Sequence, residues 1–389
     1  MPFTGKATYS AGIALPELAE DIGDIVGIVS PFETPLLDHL GDPQRAATST
    51  VHEWLEDELL PSTDTVSDAT LSNPASTTQF DVAHGSRFRV GDQVQPAGSR
   101  EVMLVTAISG NTLTVVRAYG GTTAAALTDG QTLRILGHAA LEGDDRPATR
   151  FTQRSRRHNY TQIFTASVEV SGSQLAARQA AIADEFNYQK QERLRELLRD
   201  LENCVINGVA PAADPQGSAT VRRSLRGIIP HLSTHAYTNN ADGFPAGDGA
   251  ASDQLTETQL NAALRRVWDH SSARIDTIVV NGAQKRRING FITSARGYDA
   301  DDTRFRDLVS VYESDFGVCR VLLCRSVPAD TVLLLDSSRL AVMPLTGRAF
   351  HFKKLASAGD SEVGQLIGEY TLELRNENAH ALIRGLATS

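Results

Sequence analysis

The chain has 389 residues, is 41% hydrophobic and 22% charged, and carries a formal net charge of −10. That length can bury a large core in two or three domains. The negative balance excludes a general nucleic-acid binder, whose phosphate contacts need a basic surface. Three cysteines (Cys204, Cys319 and Cys324) cannot form a disulfide framework, and Cys319 and Cys324 stand in apolar runs that read as buried core. There is no run of about 18 apolar residues to span a membrane, and the first two dozen residues lack the apolar stretch of a signal peptide. A cytosol-like compartment is therefore expected. Lysine occurs only at Lys6, Lys190, Lys285, Lys353 and Lys354, so arginine supplies the other 32 of the 37 basic residues.

Residues 1–50 hold too little apolar surface for a core of their own. Leu18, Ile22, Ile25 and Val26 recur at helical spacing, and the two prolines of "SPFETP" end any helix there. "TPLLDHLG" then predicts a short helix, with Thr34 as N-cap, Pro35 at its first position and Gly41 at the stop. The segment reads as an arm whose apolar residues need other surfaces to cover them.

"TSTVHEW" alternates in character. Thr50, His52 and Trp54 share one face, and Val51, Glu53 and Leu55 the other, which is the pattern of a strand; a helix stays open from Trp54 onward. His52 and Glu53 begin like the H-E-x-x-H zinc motif, but its fifth position is Glu56. The other histidines are scattered, and His231 and His235 lack a partner cluster, so no metal and no cofactor is expected. Residues 61–79, rich in Ser, Thr, Asp and Pro, read as an exposed linker. From 79 to 137 short alternating stretches are divided by "PAG", "SGN" and "YGG". They predict a small β-barrel or sandwich of five or six strands, inserted into something larger.

A strand pattern returns over 146–172, followed by the strongest helix of the chain, 173–207. Ile182, Phe186, Leu194, Leu197, Leu201 and Val205 form its apolar stripe. Glu192–Arg195 and Glu196–Arg199 are candidate pairs on the opposite face, and Gly208 suits the position past its end. At 1.5 Å per residue such a helix is about 50 Å long, a spine on which other parts are laid. Residues 209–254 read as loop, and "GDGAASD" lacks the acidic ligands of an EF-hand. From Thr256 the order is helix ("TETQLNAALRRVWDHS"), strand ("DTIVVNG"), helix ("AQKRRINGFITS") and strands ("CRVLLCRSV", "TVLLLDSS", "RLAVMPL"). A strand in "EVGQLIGEYTLEL", a turn and a short closing strand or helix complete an α+β chain.

No dinucleotide fingerprint, Walker loop or G-x-S-x-G elbow is present, so no catalytic residue is singled out and an enzyme is not expected. One charge pattern stands out. Glu53, Glu56, Asp57 and Glu58 lie just before the linker and insert, and Arg146, Arg150, Arg154, Arg156 and Arg157 lie just after them. If the two stretches are the sides of one long hairpin, opposite charges face each other within or between subunits, since the planar guanidinium matches a carboxylate. A solvated face and a phosphate site are the alternatives.

These parts in this order resemble a major capsid (major head) protein of tailed bacteriophages. The resemblance rests on Ser30, Pro31, Thr34, Pro35 and Leu36 followed by His52, Glu53 and Trp54. It extends to the insert "VGDQV…REVMLVTAISGNTLTVVRAYGGTT" and to "GEYTLELRNENAHALI". It implies the Hong-Kong-ninety-seven type of capsid fold. The expected parts are an N-terminal arm (1–50), an E-loop region (51–170) with the β-barrel insertion at 79–137, and a P-domain (171–221) with the spine helix 173–207. An A-domain (222–345) and a return to the P-domain (346–389) follow. The implied function is self-assembly into pentamers and hexamers of an icosahedral head shell. Such a shell encloses double-stranded DNA without sequence-specific binding and assembles in the host cytoplasm. Implied partners are copies of itself, a portal, a separate scaffolding protein and a decoration protein.

Glu53, Glu56, Asp57, Glu58, Arg150, Arg154, Arg156 and Arg157 are then subunit-interface candidates. Some relatives weld subunits by a Lys–Asn bond from an E-loop lysine. No lysine lies between residues 7 and 189, so no such cross-link is expected, and no fused scaffolding segment is expected either. An encapsulin-like compartment shell and a soluble α/β enzyme with a barrel appendage are the competing readings.

Overall fold

A computed structural model of the chain describes residues 33–43, 45–143, 149–152, 154–176, 184–295, 311–356 and 359–388. The apolar positions Leu18, Ile22, Ile25, Val26 and Ile182, the motif residues Ser30 and Pro31, and Arg146 lie outside these residues. The chain divides into two compact units, one of residues 1–54 and 156–389 and the other of residues 55–155.

The first unit holds a six-stranded mixed sheet in the order Ala236–Thr238, Ala381–Arg384, Val332–Leu335, Thr277–Val280, Gly317–Leu323, Val311–Ser314. The central runs "TIVV" and "VLLL" are buried at every position, as strands covered on both faces must be. Because side chains alternate across a strand, the two strands feed two cores. Val279, Leu333 and Leu335 join one core with Leu197, Leu201 and Val205 of the spine helix. Ile278, Val280, Val332 and Leu334 join another with Leu260, Leu264 and Val267 of the helix Glu257–His270. That helix begins at a full capping box, in which the Thr256 hydroxyl and the Gln259 amide satisfy each other's backbone.

The spine helix runs Glu185–Asn207, about 35 Å by its residue count, and not from 173. Asp184 is an extended N-cap whose carboxylate accepts the Asn187 N–H at 3.0 Å, and only the short helix Gly172–Ala176 is described before it. Strong helix formers on both sides hid the stop, because an Asp inside such a run also reads as a solvated face. Glu192 pairs with Arg195 as expected, whereas Glu196 takes Arg193 and not Arg199.

A second sheet of this unit centres on the 14-residue strand Ser361–Leu374, flanked by Gln162–Ser171 on one side and by His351–Lys354 and Leu340–Pro344 on the other. Residues 346–389 therefore do not stay together. Ser361–Leu374 builds this sheet, while Ala381–Arg384 crosses into the six-stranded one, and Leu340–Pro344 already belongs with the long strand. Gln162–Ser171 likewise belongs to the first unit, so the separate unit is shorter than the 51–170 expected for the E-loop region.

The arm helix is Pro35–Leu40, with Thr34 and Gly41 at its ends as expected. Its cover comes from its own chain. Leu36 is fully buried in the spine-helix core, and the Leu36 and Leu37 N–H groups donate to the buried Glu202 carboxylate of the spine helix. Ala47 adds a parallel bridge to Leu345 at the edge of the second sheet. For residues 33–54, the expectation that the arm needs another surface is thus corrected.

The second unit is a six-stranded antiparallel sheet in the order Thr63–Thr65, Thr132–His138, Asp92–Pro96, Met103–Ser109, Thr112–Val116, Gln79–Asp81. Its two outer strands are joined to each other. Val66 bridges Val82, Ser67 N donates to Asp81 O and Ala83 N to Thr65 O, so the ring of strands closes. The expected linker 61–79 is thus part of the fold, and the insert begins at Thr63 rather than at 79. Its polar composition hid one short strand with a buried Asp64 and Val66.

Phe80, Phe88, Leu113, Leu127 and Leu133 fill the interior. Beside them Arg117 makes a bidentate pair with the buried Glu101, at 2.7 and 2.8 Å. The same carboxylate accepts Ala118 N and Ala125 N, and Arg117 also donates to Thr77 O. Burial pushes the Glu101 carboxyl up, but the guanidinium and the two amides outweigh it and hold the group below its ordinary value. Breaking a buried pair by removing one partner costs about 3–5 kcal/mol. Arg117→Met is expected to strip hydrogen-exchange protection from 63–138 while leaving that of 185–207 unchanged, as read by mass spectrometry on the full chain.

Candidate assembly interface

The sequence motif around His52 forms the strand Val51–Glu56, which pairs with Ser155–Tyr160 in a two-stranded sheet. This is the long hairpin that the flanking charges suggested, and the strand runs on through Trp54 to Glu56 without turning helical. Trp54 and Asn159 are buried, whereas Glu53, Leu55, Arg156 and Arg157 are exposed.

The base of the hairpin is fixed by buried polar groups and ion pairs. Asn159 donates to Arg226 O (2.9 Å) and Leu372 O (2.8 Å), and its carbonyl accepts Arg226 N and Tyr160 N. Two glutamates of the long strand, both nearly inaccessible, complete the anchor. Glu369 accepts the Thr161 hydroxyl and an Arg223 N–H, both at 2.6 Å, and pairs with Arg348 at 2.7 Å. Glu373 binds His52 Nε2 at 2.6 Å and Arg45 at 3.1 Å, with Arg375 at 3.3 Å. His52 is therefore a structural partner of a carboxylate. Among the described residues no group of three or more His, Cys, Asp or Glu is placed to hold a metal.

Further along the hairpin the predicted charges meet in part. Arg156 lies 3.5 Å from Glu53 and Arg154 3.9 Å from Asp57, all four well exposed. Thr152 donates to Asp57, and Arg150 to Ser86 O at 2.7 Å. Glu58 is exposed and donates its N–H to Asp57, Glu56 ends its strand, and Arg157 faces outward on the other. Exposed pairs of this kind contribute about 0–1 kcal/mol each.

The apolar residues among them are more informative. Leu59 is 87% exposed, Phe151 79% and Leu55 62%. Leu60 and Phe151 line a groove with Asp57, Arg150, Thr152 and Arg154. A soluble surface seldom leaves several side chains of that size exposed along one short stretch of chain and its partner segment without a function. Sequence reading found the charges but missed Asn159, Glu369 and Glu373. The available signal was the pair of glutamates four positions apart in "GEYTLEL", among core residues where an ionised acid is costly unless donors or cations meet it.

Several solved structures are similar to this chain. The capsid of a native GTA particle is similar over 99% of this chain and 100% of its own, with 14% identity and a TM-score of 0.50. A Microbacterium phage Oxtober96 structure is similar over 94% and 96%, with 12% identity and a TM-score of 0.50. A holo-SrpI encapsulin complex from Synechococcus elongatus PCC 7942 is similar over 61% and 79%, with 10% identity and a TM-score of 0.44. The fold is thus that of a phage-type capsid subunit, the Hong-Kong-ninety-seven type. Residues 3–387 match the model of the SU10 major capsid protein family, and the chain belongs to that family. It is a structural protein of the virion that builds a phage head shell by association with its own copies. A comparison with curated protein sequences gives no match.

The anchor has a testable acid limb. The His52 hydrogen bond, helped by the Arg45 and Arg375 charges and opposed by burial, holds the Glu373 carboxyl below its ordinary value of 4.5. A depressed carboxylate contributes stability that is complete above its unfolded value and lost as pH falls through the folded one. In unassembled chain, Glu373→Gln is expected to lower stability at neutral pH by about 1–3 kcal/mol and to flatten the loss below about pH 4.5. The measurement is the urea midpoint by Trp54 fluorescence, with Trp268 replaced by Phe. An unchanged acid limb in the variant would refute this role.

Proposed function

We propose that the hairpin 51–60 and 150–160 is a contact between sister subunits in pentamers and hexamers of the head shell. The observation that carries this reading is the exposure of Leu55 on the two-stranded ribbon and of Leu59, Leu60 and Phe151 in the segments that continue its two strands. Covering a Leu or Phe side chain contributes about 1.5–3 kcal/mol, several times an exposed ion pair. Apolar contact therefore drives the association. Glu53, Glu56, Asp57 and Glu58 with Arg150, Arg154, Arg156 and Arg157 set its register and reject wrong partners. The Glu53–Arg156 and Asp57–Arg154 pairs inside one chain hold the ribbon in shape beforehand, and their exposed edges remain available to a neighbour's charges.

The shell encloses double-stranded DNA without reading its sequence. A net charge of −10 supports this, because a surface that neutralised many phosphates would hinder packing and release. Assembly takes place in the host cytoplasm on a separate scaffolding protein around a portal, and a decoration protein binds the finished shell. The subunit has no catalytic role. With no lysine from residue 7 to 189, its shell is held by non-covalent contacts.

Negative-stain microscopy of purified protein is expected to show uniform shells or rings of five and six. Monomers persisting at high concentration would overturn the reading. The double variant Leu59→Ser/Phe151→Ser should keep the wild-type urea midpoint and lose shells; normal shells from this variant would remove the hairpin from the contact. Mature particles boiled in denaturant should run as one band near 41.9 kDa, and a ladder of multiples would show covalent welding.

A further inference from the structure

One acid of the structure is spent on a single internal contact. Glu202, on the spine helix, is 1% exposed. Its Oε2 accepts the Leu36 and Leu37 N–H groups of the arm helix, at 3.2 and 3.3 Å. Its Oε1 lies 3.0 Å from Cys324 Sγ, itself fully buried. Each of the other buried glutamates of the first unit that anchor the hairpin meets arginine; the partners shown for Glu202 are two amides and a thiol.

The two carboxyl oxygens therefore have separate tasks. Oε2 accepts from the arm in either protonation state. Oε1 accepts from the thiol when the group is ionised, and donates its own proton to sulfur when it is neutral. The arm contact survives protonation, and the neutral group avoids the cost of an ion in an apolar core.

We propose that Glu202 is a proton-operated clasp for the arm, which docks the helix Pro35–Leu40 most firmly when the carboxyl is neutral and loosens it on ionisation. The groups facing Glu202 agree. Asp38 on the arm helix is a like charge that opposes ionisation, and Cys324 on the segment after Gly317–Leu323 is neutral. Burial is the largest influence and pushes the Glu202 carboxyl above its ordinary value of 4.5. The Cys324 and backbone hydrogen bonds pull the other way without reversing it. The Cys324 thiol, pushed up to about 12 by burial and by this carboxylate, stays protonated throughout.

Linkage fixes the sign. An acid raised in the docked state favours docking fully below the undocked value. That advantage falls from about pH 4.5 upward until the raised value is passed. The slope is about tenfold in the docking equilibrium per pH unit within that window. Freeing the arm lets the carboxylate hydrate, so ionisation and release reinforce each other. The clasp rests on contacts within one chain and stands even if the hairpin is not a subunit contact.

The test is hydrogen exchange of the peptide 34–41 in the full unassembled chain, corrected for the intrinsic pH dependence of exchange, between pH 4.5 and 8. Wild type is expected to lose protection as pH rises across that range, and peptides from 277–280 and 332–335 should hold theirs. Glu202→Gln, a permanent neutral mimic with an acceptor oxygen, should keep high protection at every pH. Glu202→Ala, which leaves the two arm amides without an acceptor, should be loose at every pH. A flat wild-type profile, or an equal fall in Glu202→Gln, would overturn the proposal. If the Gln variant fails to fold, a flat wild-type profile alone decides against it, and a fall that persists in Asp38→Asn separates Glu202 from its neighbour.

Discussion

The first unit turns on one constraint: acids buried along the long strand and the spine helix must each meet a donor. Glu369 and Glu373 sit four residues apart on a strand whose neighbours Leu372 and Leu374 are core. Ionised carboxylates there would be prohibitively costly without partners. Most of their partners come from distant stretches: Arg45 before the hairpin, His52 within it, Thr161 after it, and Arg223 and Arg348 elsewhere, with Arg375 just past the strand's own end. Because the cost of an unpaired acid is high, each contact is obligatory. The stretches around Arg45, His52, Thr161, Arg223 and Arg348 are thereby tied to one strand.

The same logic holds the arm at a different strength. Its helix donates backbone N–H groups, which are weaker partners than guanidinium, to a carboxylate that pairs with no cation among the described residues. Hairpin base and arm are thus both fastened by buried acid, one with full charge compensation and one without. A subunit that must keep its hairpin rooted while its arm changes position would need this inequality.

How legible this was in the sequence follows the range of the interactions. Local signals read well: Thr34, Pro35 and Gly41 around the arm helix, the alternation around His52, the turns of the insert, and the capping residues Thr256 and Gln259 all carry their meaning within a few positions. The capsid family and its fold were legible through the motif residues. What failed was non-local. The strand at Thr63–Thr65 is too short and polar to show a period, and exists because its partner Thr132–His138 and the bridge Val66–Val82 select it. The crossing of Ala381–Arg384 into the six-stranded sheet has no local signature either. Nor could Glu202 be told from the solvated acids beside it, since Glu192, Glu196 and Asp200 have the same composition and only the stripe position of Glu202, next to Leu201, leans inward.

A shell subunit faces opposite demands at its two ends. Its body must be complete, or the chain aggregates before it meets the right neighbour; its contact surface must be incomplete, or no shell forms. Here the two demands fall on different chemistry. Inside the body every charged side chain of the anchor is matched, which makes errors of internal packing costly. Along the hairpin the charges are matched only weakly and the large apolar groups Leu59 and Phe151 are left in water. In the proposed hairpin contact, exposed pairs of this kind, contributing about 0–1 kcal/mol each, are cheap to exchange for a neighbour's charges. In the same proposal the exposed Leu and Phe side chains supply the net gain on contact, about 1.5–3 kcal/mol for each one covered.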